Sequence, residues 1–113
     1  MPYCDLASQS CTPCKGGTPP LEGDALKYWA AQLGGSWQLV ETRKLEKVFT
    51  FKNFIEALAF TNRVGLLAEQ QGHHPDILLS WGKVKLEIWT HKIGGLTESD
   101  FILAAKADLL EKV

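Results

Sequence analysis

From Leu21 onward the apolar positions repeat first with a helical period and then with a strand period. Leu26, Trp29, Ala30 and Leu33 stand at i, i+3, i+4 and i+7, the spacing that gathers side chains on one helix face. This predicts a helix from about Asp24 to Leu33, with Asp24 as its amino-terminal cap and Gly34-Gly35 as its stop. Period-two alternation follows. Trp37, Leu39 and Glu41 interleave with Gln38, Val40 and Thr42, and Leu45, Lys47, Phe49 and Phe51 interleave with Glu46, Val48 and Thr50. With Arg43-Lys44 between the two runs, they predict a tight β-hairpin.

Phe51 to Gln71 is the longest helical stretch. Phe51, Phe54, Ile55 and Leu58 share one side, taken as the sheet-facing side. At ~100° per residue, Phe60, Val64 and Leu67 fall on the opposite side, which predicts burial of that second face against another subunit. Gly72 ends the helix and Pro75 discourages its resumption. Ile77–Trp81 and Val84–Thr90 then predict a second hairpin around Gly82-Lys83. In its second strand Val84, Leu86 and Ile88 point one way, and Lys85, Glu87, Trp89 and His91 the other. After the Gly94-Gly95 turn, Thr97 caps a last helix with Asp100 three residues on, and Ile102, Ala105 and Leu109 form its apolar stripe. The order α-β-β-α-β-β-α implies an α+β fold of two layers: a four-stranded antiparallel sheet with helices on one face.

Residues 1–20 are rich in Cys, Pro, Gly, Ser and Thr without periodicity and read as an amino-terminal arm; residues 21–113 read as a single domain. A length of 113 residues leaves no room for a second domain. Twelve Lys and Arg against thirteen Asp and Glu give 12 − 13 = −1, so there is no basic excess to neutralise phosphates, and no nucleic acid is expected as a partner. No run approaches the ~18 apolar residues of a membrane span, so no membrane partner is expected either. All three cysteines lie in the arm. An odd, clustered count does not suit a disulfide framework, and the chain is expected to be cytoplasmic with reduced thiols. Cys11-Thr12-Pro13-Cys14 is a lone C-x-x-C to which only Cys4 adds a third thiol. It reads as inert thiols on a tail, with a zinc knuckle completed from elsewhere as the alternative.

The three histidines fall between residues 73 and 91. His73 and His74 occupy the Gly72–Pro75 corner, His91 ends a strand, and Glu69 lies one helical turn before His73. Imidazoles titrate near neutrality, so one ring can give a proton while another takes one, and a carboxylate beside a ring orients it. This points to a proton-transfer site. A zinc site from Glu69, His73, His74 and His91 is the competing chemistry, although extended neighbours point their side chains apart and both reach one ion only in a bent loop. Exposed loop histidines without chemistry are the remaining alternative.

Glu69-x-x-x-His73-His74-Pro75, Trp81, Thr90-His91, Gly95-Leu96-Thr97 and Asp100 together resemble the signature of the pterin-4a-carbinolamine dehydratases, over about Leu33 to Leu110. Trp37 and the Phe49/Phe51 strand end also fit. Two positions depart from the pattern: Ile77 stands where many members carry an aromatic residue, and Trp81 replaces the more usual Tyr. The resemblance implies removal of water from 4a-hydroxytetrahydropterin to give quinonoid dihydropterin, a step in tetrahydrobiopterin recycling. It implies a small-molecule pterin as partner, no metal and no organic cofactor, and a homo-oligomer, either a dimer or a tetramer built from dimers. His73, His74 and His91 match the family's catalytic histidines, and Glu69, Pro75, Trp81, Thr90 and Asp100 are expected to bind substrate. The family also includes a dimerisation cofactor of a transcription factor and proteins that assist enzyme assembly. A binding module of the same fold, or a dehydratase for another pterin, is therefore the alternative.

Overall fold

The computed structural model describes Gln9 and residues 19–34 and 36–111. Over these the chain runs α1 (Gly23–Gln32), β1 (Gln38–Val40), β2 (Lys44–Thr50), α2 (Phe54–Gln71), β3 (Asp76–Ser80), β4 (Lys83–Ile88) and α3 (Glu98–Leu110). The expected order and fold class hold. The strands form one antiparallel sheet in the order β1-β2-β4-β3, with Leu45 opposite Ile88 and Leu86 opposite Ile77. The part of the arm with Cys4, Cys11 and Cys14, and Gly35 of the expected helix stop, lie outside the described residues.

Alternation in the sheet produces the two layers. Leu45 and Phe49 on β2 and Val84, Leu86 and Ile88 on β4 are buried beneath the helices. Glu46, Lys85 and Glu87 occupy the other face with Val48 and Leu78, which are exposed. Glu46 and Glu87 stand directly opposite each other, an arrangement that Lys85 makes tolerable by reaching Glu46 at 3.3 Å and Glu87 at 3.4 Å. Its bond to Glu46, above all, raises the Lys85 ammonium above its ordinary range. Burial pushes the Glu87 carboxyl upward, but contacts with Glu46, Lys44 and Lys85 outweigh it, and the carboxyl titrates below its ordinary range.

Several boundaries differ from the sequence expectation. Glu41 and Thr42 belong to the first hairpin turn and not to its strand: both have positive φ, at 53° and 57°, and the Arg43 N–H closes the turn on the Val40 carbonyl at 2.9 Å. Neither is a glycine, so a composition-based turn signal passes over them. The second hairpin turns at Trp81-Gly82, with Ser80 opposite Lys83. Asp24 does not cap α1. Glu22 holds the cap position without a side-chain bond, and Asp24 lies in the first turn. The predicted apolar face of α1 is correct: Leu26 is buried, and Trp29, Ala30 and Leu33 pack against the same cluster.

The larger correction concerns α2. Its inward face is Ala57, Phe60, Val64 and Ala68, all buried, whereas Phe54, Ile55 and Leu58 are exposed. Phe60 packs on Phe49 and Phe51 with ring centroids 4.7 and 5.2 Å away. The expected assignment of faces is therefore inverted. Large residues occur on both sides, and the inward side, at i, i+3, i+7 and i+11, is the one on which the small Ala57 and Ala68 flank Phe60 and Val64 and let the helix approach the sheet. The helix also starts later than expected, at the Asn53 cap, whose side chain accepts from the Glu56 N–H at 2.9 Å. Phe51 precedes the helix and packs on the core from the end of β2.

Phe60→Ala removes the ring that joins α2 to both phenylalanines and should destabilise the fold by about 3–5 kcal/mol. Urea unfolding followed by far-UV circular dichroism measures it, and an unchanged midpoint would place Phe60 outside the core.

Candidate active site

The site is built where α2 stops. Gly72 takes a left-handed conformation (φ 65°, ψ 28°), which suits a residue without a Cβ, and the N–H groups of Gly72 and His73 both close on the Ala68 carbonyl. The chain leaves the helix here, and Pro75 keeps His74 extended on the way into β3. Neighbouring residues of an extended segment face opposite ways, and His73 and His74 find different carboxylates. The Nε2–H of His73 donates to Asp100 Oδ1 at 2.5 Å, and that of His74 donates to Glu69 Oε2 at 2.5 Å. The first pair lies inside the protein, with the side chains of His73 and Asp100 12% and 0% exposed. The second is open to solvent, at 59% and 75%. Only the first is well shielded from the screening that weakens surface ion pairs.

Asp100 reaches His73 from the first turn of α3. It completes a capping box with Thr97, whose N–H donates to Asp100 Oδ2 at 2.8 Å. Thr90 points inward from the chain just beyond β4 and donates its hydroxyl to the same oxygen at 2.8 Å. One buried carboxylate thus accepts from an imidazole, a hydroxyl and a backbone amide. Its position at a helix amino terminus favours negative charge. The turn that brings Thr90 to Thr97 is held by Thr90 N–H on the Gly95 carbonyl and Gly94 N–H on the Thr90 carbonyl, both at 2.9 Å. Gly95 must be glycine here, since a Cβ would lie 2.8 Å from Pro20 Cβ. Next to that contact, the Leu21 N–H bonds to the Leu96 carbonyl at 2.8 Å and straps the chain before α1 across the turn.

Continuing the alternation of β4, Trp89 and His91 lie on the side opposite Thr90. Their rings touch, with centroids 4.1 Å apart and planes at 55°. A cleft of about 370 Å³ opens between the two corners, lined by Gly72, His73, His74, Pro75, Asp76, Trp89, Thr90, His91 and Lys92.

The structure thus brings His73, His74, His91, Pro75 and Thr90 to one cleft. Asp100 is reached from it through His73, and Glu69 braces His74 from α2. Trp81 is elsewhere. It sits exposed in the β3–β4 turn, at the far end of a five-residue strand from Pro75, roughly 20 Å away at ~3.3 Å per residue. Trp89 and Lys92 are lining residues that sequence reasoning missed. The β4 alternation had already put Trp89 on the same face as His91, which was the available signal. Among the described residues, no group of three or more His, Cys, Asp or Glu side chains is placed to hold a metal ion. Glu69, His73, His74 and His91, the donors of the competing zinc reading, are divided between two separate carboxylate pairs and a third ring.

Fold and cleft together define an α+β domain with a histidine-lined pocket at one end of an antiparallel sheet. The family model for pterin 4 alpha carbinolamine dehydratase matches residues 19–110, and the chain belongs to that family. A relative from Alkaliphilus metalliredigens is 56% identical over 92% of this chain and 94% of its own length. Another from Rubrobacter xylanophilus is 56% identical over 94% and 98%. Both carry the name pterin-4-alpha-carbinolamine dehydratase as a provisional assignment. Among solved structures, a transcriptional coactivator/pterin dehydratase from Brucella melitensis aligns at a TM-score of 0.73 and 30% identity, covering 80% of this chain and 97% of that one. A pterin dehydratase-like protein identified as a RuBisCO assembly factor in the alpha-carboxysome aligns at 0.59 and 25%, covering 68% and 90%.

Asp100→Ala would leave His73, Thr90 and the Thr97 amide without their shared acceptor. Removing one partner of such a buried pair should cost about 3–5 kcal/mol, read as a lowered midpoint in chemical denaturation. A variant as stable as the wild type would show that the carboxylate does not hold the two corners together.

Proposed function

We propose that the chain is a dehydratase of 4a-hydroxytetrahydropterin acting by histidine general acid–base catalysis, in the recycling of tetrahydrobiopterin. The observation that carries this reading is the meeting of three imidazoles in one cleft, two of them backed by carboxylates. Hydroxide is a poor leaving group from C4a. An imidazolium protonates the oxygen, the N5 lone pair forms the C4a–N5 double bond as water departs, and a neutral imidazole removes the N5 proton. The enzyme thus ends with the same number of protons, and the products are water and quinonoid dihydropterin. The carboxylates of Asp100 and Glu69 hold the His73 and His74 rings in fixed orientations. His91 lines the same cleft with no carboxylate partner among the described residues. Pro75 and Thr90 shape the cleft beside these rings, and Glu69 and Asp100 set the orientation of His74 and His73.

The test is a direct dehydration assay on chemically generated 4a-hydroxytetrahydropterin. His73→Ala, His74→Ala and His91→Ala should each lower the rate by roughly tenfold or more, near or somewhat under the lower end for loss of a general acid or base. Wild-type rates in all three variants would remove the cleft from consideration.

The same reading includes self-association. Phe54, Ile55, Leu58 and Leu66 form an apolar stripe along the outward side of α2, with Ile55 74% and Leu66 68% exposed. Burying one such side chain is worth roughly 1.5–3 kcal/mol, and a second copy of the chain is the cover that the family resemblance implies. This stripe replaces the Phe60, Val64 and Leu67 face expected from sequence, whose Phe60 and Val64 lie in the core. A double variant, Ile55→Glu with Leu66→Glu, should shift the protein to smaller species in analytical ultracentrifugation without unfolding it. Unchanged sedimentation would assign assembly to another surface, such as the β3 edge of the sheet.

The coactivator and the assembly factor among the structural relatives support a second reading, in which the fold serves as a binding module. Dehydration at the uncatalysed rate by the intact chain would favour it.

A further inference from the structure

His73 and His74 are each oriented by a carboxylate, but among the described residues no hydrogen bond or ion pair engages either nitrogen of His91. Its close neighbour is the Trp89 indole, 4.1 Å away between ring centroids. Trp89 is itself braced from the opposite strand. The Lys44 ammonium lies 5.0 Å from the centre of its ring and is pinned by Glu87 at 3.4 Å. The indole is also a wall common to two spaces: the histidine cleft, and a neighbouring pocket of about 240 Å³ lined by Val40, Glu41, Arg43, Lys44 and Gly94.

We infer that Trp89 is a positioning residue, whose indole holds the His91 imidazole towards the cleft in the role that carboxylates play for the other two rings. The inference rests on the dehydratase reading for its catalytic consequence, but not for the contact itself. An exposed histidine without a hydrogen-bonding partner samples several rotamers. An aromatic contact of this kind favours one of them by roughly 2- to 10-fold. Because the indole meets the imidazole ring to ring and makes no hydrogen bond to it, it orients the ring while leaving both nitrogens available to substrate. A carboxylate would occupy one of them. Without the indole, the wall between cleft and pocket is lost, and the imidazole gains room to turn away from the cleft.

The experiment compares Trp89→Ala, Trp89→Phe, His91→Ala and the Trp89→Ala/His91→Ala double variant in full-length protein. Dehydration kinetics are measured together with histidine-ring proton shifts from NMR. Trp89→Ala should lower kcat about 3- to 10-fold with KM changed less than twofold, and should remove the upfield ring-current shift of the His91 protons. Trp89→Phe should recover kcat to within about twofold and keep part of the shift. In the His91→Ala background, Trp89→Ala should cause no further loss of kcat. A full additional loss there, or a raised KM with kcat unchanged, would assign the indole to direct substrate binding and overturn the proposal. So would a His91 shift in active wild-type protein that Trp89→Ala leaves in place. A wild-type chain that keeps the ring-current shift but catalyses no dehydration would refute the dehydratase reading, and with it the catalytic consequence of the contact.

Discussion

A carboxylate taken fully out of water is tolerable only if its oxygens are met by donors, and Asp100 satisfies that condition by drawing together three separate parts of the chain. His73 comes from the corner after α2, Thr90 from the end of β4, and the Thr97 amide from the start of α3. None of these segments is regular where it meets Asp100. The shared acceptor aligns the two corners that form the cleft, while the packed elements behind them supply rigidity. The Pro20–Gly95 contact and the Leu21–Leu96 hydrogen bond close the same region from outside, tying the start of the described domain to the turn before α3.

Around that carboxylate, three chemically identical side chains acquire three environments. His73 is nearly buried and faces a buried partner, so its interaction is little screened. His74 makes the same kind of bond in solvent, where it is weaker and depends on salt. His91 meets an aromatic ring and, among the described residues, no carboxylate. The difference arises from backbone direction. Extended residues alternate, so His74 cannot share His73's partner, and Thr90 turns inward to Asp100 while Trp89 and His91 turn outward. The three environments are therefore a product of strand geometry.

The cleft and the outward side of α2 are different surfaces built by the same helix. The inward stripe of α2 fixes the helix on the sheet, its carboxyl end delivers His73 and His74, and its outward stripe stays apolar and uncovered within a single chain. Family membership covers 19–110 and so includes both surfaces. The structural relatives show that proteins of this shape include a coactivator/pterin dehydratase and an assembly factor.

What was legible in the sequence was local. Alternation along β4 placed Val84, Leu86 and Ile88 inward, helical spacing found the face of α1, and Thr97 with Asp100 announced the cap of α3. These follow from the 2- and 3.6-residue periods and from the hydrogen bonds that a helix end leaves open, all of which act within a few residues. Clustering of the histidines pointed to a proton-transfer site, and the wider motif reached further through the family resemblance and not through any local period. The tertiary structure decided matters that depend on what lies across from a residue. Periodicity found two apolar sides of α2, but only docking on the sheet showed that the alanine-flanked side of Phe60 and Val64 goes inward. Asp100 was legible as a capping residue and, with Glu69, as a carboxylate able to hold one of the histidine rings, but not which ring. Its service to His73, 27 positions earlier in the chain, appears only once α3 is packed against the end of α2. Trp81 and Trp89 flank the same strand, and chain folding alone sends one to a distant turn and the other against His91, because a strand separates its two ends by its full length.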